Sequence, residues 1–115
     1  MSPRKSSTSS GKVKPRPRYL GLEAAGELVP RLPPRGWEAA LRSGWASAHA
    51  DRPGPRFRLV RSDGRRAIVE VEHRVAEAAR AAWNGPVPDP VGITLRTQRT
   101  WGTLWGAKRW WRSTE

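Results

Sequence analysis

Residues 56–72 read RFRLVRSDGRRAIVEVE, two alternating stretches joined by Ser62-Asp63-Gly64. An Asp-Gly pair between alternating runs signals a tight β-hairpin. Phe57 and Leu59 fall on one face of the first strand. Ala67, Val69 and Val71 share one face of the second, and Ile68, Glu70 and Glu72 share the other. A hairpin with an apolar face must be covered, so the flanking segments decide the fold.

Before the hairpin, Tyr19–Ala24 alternates, with Leu20, Leu22 and Ala24 on one side and Tyr19, Gly21 and Glu23 on the other. This predicts a first strand, weakened by Gly21 and Gly26. Pro30, Pro33 and Pro34 then exclude a helix locally. From Gly36, a helical stripe runs through Trp37, Ala40, Leu41, Gly44, Trp45 and Ala48, and DRPGP at 51–55 ends it. After the hairpin, Val75, Ala78, Ala79, Ala82 and Trp83 give a helix over His73–Trp83, stopped by Asn84-Gly85-Pro86. Val91, Ile93, Leu95 and Thr97 alternate as a fourth strand. Gly102-Thr103 reads as an N-cap opening a short, basic, Trp-rich helix.

The order β-α-β-β-α-β-α defines an α+β fold. It is a ferredoxin-like, RRM-like βαββαβ sandwich: a four-stranded antiparallel sheet, two helices on one face, and an extra C-terminal helix. With 115 residues the chain suits one small domain, read as 18–115, behind a disordered basic arm at 1–17.

Charge narrows the function. Lys+Arg is 22 and Asp+Glu is 10, a net +12. Residues 1–18 contribute +6 (Arg4, Lys5, Lys12, Lys14, Arg16, Arg18) and residues 96–115 contribute +4, while 19–95 is nearly balanced. Such an excess points to a polyanionic partner, nucleic acid above all. The absence of Cys excludes disulfides, thiolate metal sites and Cys nucleophiles. His49 and His73 stand in no metal-spacing motif, and His73 reads as a solvated or capping residue. No catalytic set is suggested by spacing, and no apolar run is long enough to span a bilayer. The N-terminus has no secretory pattern, so a soluble, cytoplasmic protein is expected.

Segment 96–112 is the strongest constellation, with Arg and Lys interleaved among Trp101, Trp105, Trp110 and Trp111. Cations neutralise phosphates, and indoles stack on unpaired bases. A 3.6-residue period puts Trp101, Leu104, Trp105 and Lys108 on one side, and Trp110 and Trp111 cannot both face the core. The strand RRAIVEVE has no aromatic and two acids, so the sheet itself is not expected to stack bases. Recognition of phosphates and shape by the basic ends is expected instead.

Three stretches together resemble the archaeal and eukaryotic family of ribonuclease P protein component 2. They are Arg18-Tyr19-Leu20 after a basic lead-in, GRRAIVEVEHRVAEAARAAW at 64–83 with its His73-Arg74 junction, and TWGTLWGAKRWW at the C-terminus. In the last, Gly102, Thr103 and Leu104 match the family's Ser-Gly-Thr-Ile element, and Lys108 and Arg109 match the basic positions after it. The resemblance implies a non-catalytic subunit of the ribonucleoprotein that removes 5′ leaders from precursor tRNA. Its partners would be the ribonuclease P RNA and protein component 3. Mg²⁺ would be used by the RNA, with no cofactor on the protein. The expected RNA contacts are Arg16, Arg18, Arg96, Arg99, Thr103, Lys108, Arg109 and Arg112. Thr103 would offer a hydroxyl and helix N-terminal N–H groups, and the arginines bidentate forks. The alternatives are a ribosome-associated structural RNA-binding protein and a ferredoxin-like domain that binds a ligand or dimerises.

Overall fold

The computed structural model describes residues 16–27, 29, 31–51 and 54–113. The elements are β1 (Pro17–Gly26), α1 (Pro34–Ala48), β2 (Phe57–Ser62), β3 (Arg66–Glu72), a 3₁₀ turn (His73–Val75), α2 (Ala76–Ala82), β4 (Gly85–Pro86), β5 (Ile93–Trp101) and α3 (Leu104–Ser113). The basic arm expected over 1–17 lies, up to residue 15, outside the described residues. Pro17 already pairs with Glu72, and the Arg16 carbonyl accepts the His73 N–H at 2.8 Å.

The sheet order is β2-β3-β1-β5-β4, antiparallel throughout. Its four long strands make the expected βαββαβ arrangement. The fifth is a correction: Gly85-Pro86, read as a helix stop, also pairs with Leu95 and Thr94. Proline fits because β4 is an edge strand, where a missing N–H can face away from the ladder.

One face carries the main core. Leu20, Leu22 and Ala24 of β1, Ala67, Val69 and Val71 of β3, and Ile93 and Leu95 of β5 pack beneath Trp37, Ala40, Leu41 and Trp45 of α1. Ala79 and Trp83 close it from the α2 side. The two fully buried indoles are hydrogen-bonded, whereas the buried Trp45 Nε1 has no partner among the described residues. Trp37 Nε1 donates to the Asp63 carbonyl and Trp83 Nε1 to the Leu41 carbonyl, each at 2.8 Å. Gly44 lets α1 pack closely here, since a Cβ would stand 3.1 Å from Val87 Cγ1 and 3.3 Å from Trp83 Cδ1.

Three expectations change. Helix α1 starts at Pro34 rather than after the prolines, because a first-position proline has no N–H that needs a helical acceptor. The extended Pro33 precedes it, and its carbonyl takes the first helical bond, from Trp37 N–H at 3.0 Å. Ala48 at the end of the stripe is exposed. Val91 is 85 % exposed before β5, where Gly92 turns the chain with φ +89°.

The other sheet face is covered by α3. Tyr19, Ile68, Ala107 and Trp111 form a second buried cluster, with Val60, Trp101, Leu104 and Trp110 packed against it. Gly21 is required here, because a Cβ would lie 2.8 Å from the Trp101 ring.

The hairpin turn is tied by Asp63. Its Oδ1 accepts the Arg65 and Arg66 N–H groups at 2.7 and 2.6 Å, and its Oδ2 accepts Arg66 Nη2 at 3.2 Å. Burial pushes this carboxyl up, but those hydrogen bonds and the Arg66 charge outweigh it and hold it below the ordinary 3.8. A depressed carboxylate adds stability above its unfolded value and loses it as pH falls through the folded one. The denaturation midpoint should therefore fall on acidification below about pH 4. Asp63→Ala should flatten that acid limb and cost about 1–2 kcal/mol at neutral pH. An acid limb identical to the wild type would contradict this role.

Candidate nucleic-acid interface

Thr103 opens α3 as the sequence predicts, its Oγ1 accepting the Gly106 N–H at 3.1 Å. The oxygen is engaged in capping, while the exposed hydroxyl can still donate its proton.

Docking of α3 splits the line through Trp101, Leu104, Trp105 and Lys108 that a 3.6-residue period groups on one side. Ala107 and Trp111 are buried, with Leu104 and Trp110 half-buried beside them. Trp105 and Lys108 point out, Trp105 being 64 % exposed, while Trp110 and Trp111 both pack toward the sheet, a correction to the expectation that they cannot both face the core. The small Ala107 lets the helix backbone approach the strands, and Trp111 has its own seat. Arg66 lies over the Trp111 ring at 4.1 Å and Arg61 at 5.0 Å. The outer face consequently carries Trp105, Lys108, Arg109 and Arg112 at i, i+3, i+4, i+7, all exposed. Arg109 sits over the Trp105 ring at 4.8 Å.

Strand β5 adds to this surface through a β-bulge. Arg96 pairs opposite Glu23, Thr97 opposite Leu22, Arg99 opposite Gly21 and Trp101 opposite Tyr19, leaving Gln98 as the extra residue. In a regular strand, residues 96 and 99 would point to opposite faces. The bulge brings Arg96, Arg99 and Trp101 onto the α3 face. Sequence periodicity carries no signal for that inserted residue. Gln98 donates to Glu23 at 3.1 Å, so Arg96 stands beside an acid, whereas Arg99 stands beside α3. Between β5 and α3 lies a cleft of about 340 Å³ lined by Arg99, Trp101, Gly106, Arg109, Trp110 and Ser113.

Arg18 stands at the strand ends near the start of α3, and Arg16, exposed just before β1, is located by its carbonyl against the His73 N–H. Arg18 shares a depression with His73, Glu77, Arg80 and Thr100, and its Nη1 is 3.7 Å from where a Gly102 Cβ would stand. The sequence reading missed Arg80. His73, expected as a solvated or capping residue, is exposed and also lines the depression.

The ion-paired acids stand elsewhere, although Glu77 lines the Arg18 depression and Glu23 flanks Arg96. Among the described residues the ion pairs are Arg58–Glu70 at 2.7 Å, Arg66–Asp63 at 3.2 Å and Arg74–Glu72 at 3.5 Å, all in the hairpin or its exit. Among those residues, no ion pair engages Arg16, Arg18, Arg96, Arg99, Lys108, Arg109 or Arg112. Among them, too, no group of three His, Asp or Glu side chains is placed to hold a metal, and no helix is long and apolar enough to cross a membrane.

No protein-family model matches the chain, and no curated protein matches it. In structure it is similar to a chain in the cryo-EM structure of yeast ribonuclease MRP. The TM-score is 0.57 at 13 % identity, covering 90 % of this chain and 95 % of that one. At that identity the likeness establishes a shared fold.

The α3 face makes a measurable prediction. Replacing Arg109 and Arg112 together with Ala should weaken RNA binding across sequences. It should also reduce the slope of log affinity against log salt by about 2, one for each phosphate no longer neutralised. A double variant with the wild-type slope would remove α3 from the interface.

Proposed function

We propose that the chain is a non-catalytic protein subunit of ribonuclease P, supporting the RNA catalyst that removes the 5′ leader of precursor tRNA. One observation carries the reading: among the described residues, exposed cations on α3 and at the end of β5 stand outside ion pairs, on a fold similar to that of a chain in a ribonuclease MRP structure. The family resemblance of 18–20, 64–83 and 100–111 supports the same reading. Its partners are then the ribonuclease P RNA and protein component 3, with precursor tRNA as the substrate of the assembled complex. The protein holds no cofactor, the RNA uses Mg²⁺, and the assembly works in the cytoplasm.

Charge supplies the mechanism. A catalytic RNA must crowd its phosphates at the active centre, and bound cations offset their repulsion. Arg16, Arg18, Arg99, Lys108, Arg109 and Arg112 bring fixed positive charge to that backbone, with Arg96 at the margin beside Glu23. Arginine forks bind phosphate oxygens in pairs, and the Thr103 hydroxyl adds a donor at the helix start.

The test is precursor-tRNA cleavage by the host's ribonuclease P RNA with component 3, titrated with Mg²⁺ in the presence and absence of this chain. Cleavage at the mature 5′ end should appear at Mg²⁺ concentrations where the mixture without the chain is inactive. An assembled complex with an unchanged Mg²⁺ requirement would overturn the reading and leave a general binder of structured RNA.

A further inference from the structure

Charge alone accounts for the proposed role, yet the cleft between β5 and α3 holds chemistry that charge does not need. Trp101 and Trp110 form an aromatic wall, their ring centroids 5.4 Å apart and their planes tilted by 43°. Arg99 reaches it from β5 and Arg109 from α3, both exposed. Gly106 keeps the helix flank low, since a Cβ there would stand 2.9 Å from Trp101 Cδ1. At about 340 Å³ the cleft falls at the lower end of the range for small-ligand pockets. At its rim, the exposed Trp105 carries Arg109 across its ring.

Duplex RNA hides its base faces and meets proteins through phosphates and 2′-hydroxyls, so an indole surface contributes little to holding it. An unpaired nucleotide presents a π-face and a phosphate together, and aromatic rings flanked by guanidinium groups bind that combination. We propose that the β5–α3 cleft binds an unpaired RNA nucleotide, its base against Trp101 and Trp110 and its phosphate between Arg99 and Arg109. This rests on the reading of the chain as an RNA-binding subunit and specifies which RNA element that face takes. The sheet surface itself is closed to bases by α3, and the edge of α3 supplies the stacking site in its place.

The experiment uses the full chain and three labelled probes of equal length at one salt concentration: a short single-stranded oligoribonucleotide, the same strand with abasic sites, and a blunt RNA duplex. Fluorescence anisotropy should show the natural single strand binding about tenfold tighter than the abasic strand. Trp110→Leu should abolish most of that preference while leaving duplex binding near its wild-type value, whereas Arg99→Ala should weaken all three probes as the loss of one charge does. An abasic strand bound as tightly as the natural one overturns the stacking site, and this comparison needs no variant. A Trp110→Leu chain that keeps the wild-type preference for the natural strand also overturns it. Either result leaves the charge-based role standing. A chain that binds none of the probes overturns both.

Discussion

A buried guanidinium holds the molecule's two faces together. Arg66 is 7 % exposed, and its Nη1 donates to the Trp111 carbonyl at 2.9 Å while Nη2 reaches Asp63 at 3.2 Å. The same group lies 4.1 Å from the centroid of the Trp111 ring. Trp111 is in the last turn of α3, where carbonyls lack intrahelical donors and the helix end is negative. A cation there satisfies an orphan acceptor. Its bond to Asp63 ties that helix end to the hairpin turn, whose Asp63 carbonyl in turn receives Trp37 from the opposite face. Both helical layers are thereby referenced to one turn.

Everything proposed for RNA follows from that docking. With Ala107 and Trp111 against the sheet, Trp105, Lys108, Arg109 and Arg112 must face water. The bulge at Gln98 then sets Arg99 and Trp101 beside the helix, and a cleft appears between strand and helix. The acidic side chains sharpen the contrast. Among the described residues, Glu70, Asp63 and Glu72 pair with Arg58, Arg66 and Arg74 in the hairpin and its exit, while the cations of the β5–α3 side and Arg18 stand outside those ion pairs.

The hairpin, the apolar face of β1, the α1 stripe and the Thr103 cap are legible in the sequence because each is a local pattern. Alternation, a 3.6-residue period and a Ser/Thr cap depend on neighbours a few positions away. What is not legible depends on distant partners. Pro34 reads as a breaker until its place at the first helical position is known. Val91 continues an alternation that Gly92 interrupts by turning the chain. The docking face of α3 cannot be read from its tryptophans, which lie on several sides of the helix. The seat for Trp111 is made by Arg61 and Arg66, which lie far earlier in the chain, within the hairpin. Lys108, Arg109 and Arg112 form one exposed cationic group in sequence and structure alike, whereas Arg96 and Arg99 share a face only because of a bulge that periodicity does not announce.

The central claim is that α3 works as an interface because Arg66 pins it. Hydrogen exchange on Arg66→Met, combined with RNA affinity measured on the same preparation, tests it most directly. The account predicts that α3 amides lose protection while those of β1 and α1 keep theirs. RNA affinity should fall even though no exposed cation has been removed. Wild-type protection of α3 together with wild-type affinity would contradict it.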